Sequence, residues 1–185
     1  MLSRSGFDRA TTLPALCERA AVAFRELTGF DRVMIYRFLD DDAGCVVAED
    51  RDPTLSTFLH HHFPASDIPR QARALYVRNR TRVIPDTAYV PAPLRPAGFE
   101  STDLSDVAIR SVSPIHMQYL ANMGVGASAS ISIVTDGVLW GLVACHHNSA
   151  RMMPRGIRSI AAALAGDLAD RKSTRLNSSH VSESR

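Results

Sequence analysis

Over residues 13–27 the apolar side chains Leu13, Leu16, Ala20, Ala23, Phe24 and Leu27 return every three or four positions, which predicts an amphipathic helix. Thr12 is placed to cap it, Pro14 lies in its first turn and Gly29 closes it. The period then changes. Arg32-Val33-Met34-Ile35-Tyr36-Arg37-Phe38 is β-branched and aromatic, Asp40-Asp41-Asp42-Ala43-Gly44 reads as a turn, and Cys45-Val46-Val47-Ala48 returns, which predicts a hairpin. Ser66 or Asp67, followed by Pro69, predicts the start of a helix over residues 70–78, and Arg82-Val83-Ile84 a short strand ended by Pro85. Residues 86–106 carry Pro91, Pro93, Pro96 and Gly98 without periodicity, and a loop of that length in a compact domain is usually functional or disordered. Ser113-Pro114 repeats the cap-and-proline opening before a short helix over 116–123, stopped by Gly124. Ser128, Ser130 and Ser132 alternate with Ala129, Ile131 and Ile133; Asp136-Gly137 supplies a tight turn, and residues 138–147 return. Ile157, Ile160, Leu164 and Leu168 mark a final helix. Hairpins with helices between them predict an α+β domain, a central antiparallel sheet with helices on its faces.

Length agrees with that reading: 185 residues suit one domain. No apolar run approaches the roughly 18 residues of a membrane span, and Met1-Leu2-Ser3-Arg4-Ser5-Gly6 lacks the apolar core of a secretory signal, so a cytoplasmic location without membrane contact is expected. The formal charge of +2 is misleading, because residues 171–185 contribute +3 and residues 1–170 carry −1. A domain so balanced gives no electrostatic case for nucleic acid. Residues 171–185 are polar and serine-rich, and are expected to be a disordered tail of non-native origin outside a domain spanning 1–170. Of the 21 cationic residues, Lys172 is the one lysine. Coding bias accounts for most of that, but individual arginines could still clamp a carboxylate in bidentate fashion.

The candidate chemistry is that of a pocket rather than of a catalyst. Cys17, Cys45 and Cys145 are far apart and in no CxxC pair, which predicts buried thiols. That spacing also argues against a thiol-dependent reductase. His60-His61-His62 is a poor metal site, since adjacent side chains diverge and no Cys or carboxylate follows at helical spacing. Gly-x-Ser-x-Gly, a P-loop and GxGxxG are absent, so no enzymatic activity is expected of this stretch. By contrast, Ser128, Ser130 and Ser132 place hydroxyls along one strand face where a core would call for Val or Ile. His146-His147 must send one ring to each face, and Tyr36, His116 and Tyr119 could line the same space. A cavity of hydroxyls, imidazoles and arginines suits a ligand with carboxylates.

Four segments carry a resemblance. Arg32-Val33-Met34-Ile35-Tyr36-Arg37-Phe38, Phe63-Pro64-Ala65-Ser66-Asp67-Ile68-Pro69, Ser113-Pro114-Ile115-His116-Met117-Gln118-Tyr119-Leu120 and Leu139-Trp140-Gly141-Leu142-Val143-Ala144-Cys145-His146-His147 resemble, in order, motifs of the bilin-binding GAF domain of bacterial phytochromes. The resemblance covers residues 10–170. It implies a GAF fold, a biliverdin-type linear tetrapyrrole and red/far-red switching by isomerisation at its C15=C16 double bond. Carried over by position, Asp67 would offer its backbone carbonyl to the pyrrole N–H groups beside His116, with Ile68 and Pro69 in the same segment. Arg82 and Arg110 would bind the two propionates, assisted by Tyr76, Ser113, Ser128 and Ser130. Met34, Tyr36, Phe63 and Tyr119 would surround the rotating D ring, and His146 would hydrogen-bond its carbonyl. The 86–106 loop resembles the segment that encircles the upstream chain in the family's knot.

The same resemblance implies an upstream PAS domain, downstream PHY and output domains of histidine-kinase type, and a homodimer. Two departures stand out. Plant-type members attach the bilin through a Cys immediately before the pocket His, where this chain has Ile115; bacterial members use a Cys upstream of the PAS domain, leaving Cys17 as a poor substitute. Covalent attachment is therefore not expected from this chain. The alternatives are a GAF domain that binds another small molecule, such as a cyclic nucleotide, or one that serves in dimerisation.

Overall fold

The computed structural model describes Phe7, residues 10–107 and residues 109–182. Helix α1 (Leu13–Thr28) begins where expected, with the Thr12 hydroxyl accepting from the Ala15 N–H. It ends at Gly29, whose left-handed φ of 66° suits a residue without Cβ. Strands β1 (Arg32–Phe38) and β2 (Gly44–Arg51) form the first hairpin, and a two-residue strand β3 (His62–Phe63) adds to its outer edge. Helix α2 (Arg70–Arg78), strand β4 (Thr81–Ile84) and helix α3 (Pro114–Asn122) follow, with no helix or strand among the described residues between β4 and α3. Strands β5 (Ala127–Thr135) and β6 (Val138–His147) make the second hairpin, and helix α4 (Arg155–Ser182) is the last described element. The six strands form one antiparallel sheet in the order β3-β2-β1-β6-β5-β4.

Strand alternation divides the sheet into two unlike faces. On one, Val33 and Ile35 of β1, Ala129, Ile131 and Ile133 of β5, and Val143 and Cys145 of β6 meet Leu16, Ala20 and Phe24 of α1 and Ala161, Ala165 and Leu168 of α4. That is the main core, and each of these side chains is buried. The opposite face carries Met34, Tyr36, Ser128, Ser130, Leu142, Ala144 and His146, and lies beneath α2, α3 and the long loop.

Several local expectations change. Neither Ser66 nor Asp67 caps α2: residues Ala65–Asp67 form a 3-10 turn, and Pro69 holds the cap position without a side-chain bond. Ser113 precedes α3 but its hydroxyl makes no capping bond; the contact is from the Met117 N–H to the Ser113 carbonyl. Residues 171–182, expected as a tail outside the domain, continue α4. Lys172 is buried with its ammonium 5.2 Å from the centre of the Trp140 ring, and the Ser173 and Thr174 hydroxyls donate to the carbonyls of Ala169 and Asp170. Amphipathic contact through a lysine stem is invisible to a search for apolar period.

Candidate functional site

A cavity of about 560 Å3 opens on the second face, within the roughly 300–1,000 Å3 of small-ligand sites. All fifteen residues singled out in the sequence line it: Met34, Tyr36, Phe63, Asp67, Ile68, Pro69, Tyr76, Arg82, Arg110, Ser113, His116, Tyr119, Ser128, Ser130 and His146. They come from β1, β3, the 3-10 turn, α2, β4, the long loop, α3, β5 and β6.

Register explains how distant segments converge. Arg82 pairs with Ser130, Ile84 with Ser128, and Ser128 in turn with His146, so β4, β5 and β6 present an arginine, two hydroxyls and an imidazole side by side. Ser132 departs from the expected row of three. Its hydroxyl donates to the Tyr76 carbonyl at 2.7 Å, so it ties β5 to α2 rather than lining the cavity.

The cationic end is built from β4 and the long loop. An Arg82 guanidinium N–H donates to the Arg110 carbonyl at 2.8 Å, and Arg110 itself donates to the Val107 carbonyl. Burial and the neighbouring Arg110 both disfavour the charged form of Arg82. Two guanidinium groups held this close repel each other, which favours a ligand carrying negative charge between them. Tyr76 stands beside them, hydrogen-bonded to Ser130, with its phenol raised by burial and lowered in part by Ser130, Arg82 and Arg110.

At the other end, the Tyr36 ring meets Phe38 edge-on at 5.3 Å and Phe63 at 5.9 Å. Burial is the main cause that pushes the Tyr36 phenol up to about 12, with Tyr119 and Asp67 adding to it. Tyr119 is also pushed up to about 12, by burial first and then by the Asp67 carboxylate. His116 stacks on Tyr119 at 6.1 Å, and burial together with Arg82 lowers its imidazole. His146 is lowered further, to about 4, by burial, Arg32 and His116. Both histidines are therefore neutral near pH 7 and able to give one hydrogen bond and accept another. His147 points to the opposite side of the sheet, with Nδ1 2.9 Å from the Asp31 carboxylate.

The three histidines at 60–62 are exposed, and Cys17, Cys45 and Cys145 are buried free thiols away from the cavity lining. Ile115 is 83% exposed at the rim. Sequence reasoning missed Ile84, Leu120, Leu142 and Ala144 as cavity wall. Leu142 and Ala144 alternate with His146 on β6, a period that could have marked them, but apolar residues at such positions look the same whether they face a cavity or a core.

The donor set fits a long ligand with two carboxylates at one end and polar N–H or carbonyl groups along it. One buried atom also asks for a partner: His146 Nδ1 has none.

The GAF domain family model matches residues 12–174. The chain is 51% identical over 157 residues to a bacteriophytochrome of Xanthomonas campestris pv. campestris, covering 83% of this chain and 25% of that protein. It is 55% identical over 138 residues to a bacteriophytochrome of Pseudomonas aeruginosa, covering 72% of this chain and 19% of that one. Among solved structures, a bacteriophytochrome from the photosynthetic bacterium R. palustris aligns with a TM-score of 0.91 at 41% identity, over 98% of this chain and 38% of that one. The chromophore-binding domain of a Stigmatella aurantiaca phytochrome aligns at 0.85 and 46% identity, over 91% and 58%. The chain thus spans a quarter or less of the length of these two curated relatives.

Proposed function

The chain belongs to the GAF domain family, and from that premise we propose that it is the chromophore-binding domain of a red/far-red photoreceptor, taking a biliverdin-type linear tetrapyrrole in the cavity. The observation that carries this is the pairing of Arg82 and Arg110 at one end of a largely apolar cavity whose other end is walled by Tyr36, Phe63 and Tyr119. A small cyclic nucleotide would need one anionic site and no aromatic sleeve, and the relatives are named phytochromes.

When bound, such a tetrapyrrole supplies a light-driven isomerisation of its C15=C16 double bond. The protein's own residues bind and orient. Arg82 and Arg110 take the two propionates, each charge-assisted bond contributing about 1.5–3 kcal/mol, with Tyr76, Ser113, Ser128 and Ser130 completing the grip. The Asp67 carbonyl and His116 face the pyrrole N–H groups, with Ile68 and Pro69 closing that side. Met34, Tyr36, Phe63 and Tyr119 confine the ring that turns, and His146 donates to that ring's carbonyl.

None of this chain's own thiols is placed to attach the bilin, because Ile115 occupies the rim position before His116 and Cys17, Cys45 and Cys145 are buried away from the cavity lining. The full protein would add an upstream PAS domain, a downstream PHY domain and a histidine-kinase output, would work as a homodimer in the cytoplasm, and would thread its upstream chain through the 86–106 loop. The GAF domain itself contributes no catalytic group. Among the described residues no helix is long and apolar enough to cross a membrane.

The test is assembly with biliverdin and absorption before and after red light. A red band that changes on illumination supports the reading, and no red band under any condition overturns it. Arg82→Ala should weaken biliverdin binding by about tenfold to a hundredfold, the equivalent of the bond it removes.

A further inference from the structure

Arg32 lines no part of the cavity, yet its position ties it to the histidine that does. It pairs directly with His146 across β1 and β6, on the same face of the sheet. Directly opposed residues in an antiparallel pair have Cβ atoms about 4.5–5.5 Å apart, so the two side chains are neighbours. Arg32 is 5% exposed. Its guanidinium lies 4.0 Å from the Phe58 ring centre and donates to the Ser56 carbonyl, and its Nε is 3.4 Å from the Glu49 carboxylate. Glu49 is held in turn by the Phe58 N–H, the Thr57 hydroxyl and Arg51. This anchors the guanidinium behind His146 and leaves one of its nitrogens, Nη1, buried without a hydrogen-bond partner. His146 Nδ1 is the matching buried nitrogen without one.

From this juxtaposition we infer that Arg32 is a positioning residue for His146, holding its ring as the neutral tautomer with the proton on Nε2, the nitrogen left to the cavity. The inference rests on the proposed bilin reading for its consequence but not for its geometry. The two nitrogens are not in direct hydrogen-bond contact; because Nη1 can only donate, a water bridging them would leave Nδ1 as the acceptor. A proton on Nδ1 would set donor against donor beside a cation, in a buried place where an unmade bond is costly. The other groups that face His146 act in the same sense or are neutral. His116 of α3 adds to the pressure against a charged ring, and the Ser128 hydroxyl of β5 stands on its other side. The Glu49 carboxylate is turned to Arg32. A bilin carbonyl in the cavity would then meet a fixed N–H rather than a lone pair.

The test begins on the ligand-free protein, with 15N-labelled histidine and NMR detection of the ring nitrogens. At pH 7 wild-type His146 should show a protonated Nε2 and an accepting Nδ1. Arg32→Met combined with Glu49→Gln removes the donor without stranding a buried carboxylate, and should shift His146 to a mixture of tautomers. Arg32→Lys, which keeps charge and donor, should restore the wild-type pattern. A proton on Nδ1 in the wild type, or an unchanged His146 in the folded double variant, overturns the inference. Should the double variant fail to fold, Arg32→Lys against Arg32→Gln with Glu49→Gln gives the same comparison, a wild-type-like His146 in both supporting a donor at this position. In the biliverdin-loaded protein, the double variant should shift the red band and lower its photoconversion, recovered by Arg32→Lys. Absence of any red band in the wild type would sink the bilin reading and leave the ring-nitrogen result standing.

Discussion

Gly44, at the start of β2, decides whether Tyr36 can wall the cavity. A Cβ built there would lie 1.7 Å from the Tyr36 hydroxyl oxygen and 1.8 Å from its Cζ, far inside contact distance. The backbone of Gly44 is not in the left-handed region, so the substitution Gly44→Ala acts through this overlap alone. Tyr36 is buried between Phe38 and Phe63, so its ring cannot yield without loosening both aromatic contacts. Overpacking of this kind costs about 1–3 kcal/mol, and the two ring pairs contribute about 0.5–1.5 kcal/mol each beyond their area. Gly44→Ala should therefore destabilise the ligand-free domain by about 2 kcal/mol in urea unfolding. On a Tyr36→Leu background the obstacle is gone, and the same change should cost less than about 0.5 kcal/mol, a coupling well outside the error of additive sites. Equal costs on the two backgrounds would refute the account, because the penalty would then belong to the backbone of β2 and not to the ring. In the loaded protein Gly44→Ala should also alter the photoconversion that Tyr36 confines, while leaving the propionate end untouched.

Ser132→Ala removes the donor to the Tyr76 carbonyl and should cost about 1–3 kcal/mol of stability with biliverdin affinity unchanged, whereas Ser130→Ala should lower affinity; reversed results in paired unfolding and binding titrations would contradict the assignment. Burial pushes Cys17 up to about 11 and Cys145 up to about 12, so neither should react with a thiol reagent at pH 8 until the domain is unfolded, and rapid native labelling of either would contradict their burial. His146, at about 4 when folded against 6.5 when unfolded, favours the native state in its neutral form. Its contribution, on the order of 3 kcal/mol, is complete above about pH 6.5 and is lost as the pH falls towards about 4; unfolding free energies across that window should fall less steeply in His146→Gln, and parallel slopes would rule this out.

How far the sequence reaches depends on what kind of force holds each element. Helix α1 and the β5–β6 hairpin were legible because burial of one face writes a period into the chain, and Ser128 and Ser130 stood out by breaking the apolar side of that period. Strand β2 runs three residues beyond its apolar stretch because Glu49 is ion-paired to Arg32 and Arg51, and Asp50 to Arg25, contacts that leave no periodic mark. Strand β3 was invisible for a related reason. Its two residues are recruited by the edge of β2, through His62 and Phe63 opposite Cys45 and Gly44, and not by any pattern of their own. Motif resemblance, and not period, marked Arg110 and Ser113, which sit in the long loop where no period exists. Arg32 lies within one of the motifs, but nothing in the local pattern marks it, since its place beside His146 depends on a strand pairing 114 positions away.

The two faces of the sheet divide the work in a way that makes the cavity tolerable. Between α1, α4 and the sheet, Leu16, Phe24, Ile35, Ile131, Ile133, Val143 and Leu168 are all almost fully buried, and burying such side chains is worth about 1.5–3 kcal/mol each. On the other face polar groups replace what would be core, with two imidazoles kept neutral, three tyrosines raised by burial and two guanidinium groups set close together. Each of those features costs stability when the cavity holds only water, and each is relieved by a ligand that accepts their hydrogen bonds and neutralises the arginines. Binding and folding are then linked: a ligand at a hundred times its Kd would add about 2.7 kcal/mol. Because the helix-covered face supplies the core independently, substitutions at Arg82 or His146 can change the ligand's grip and its optical response while the domain still folds.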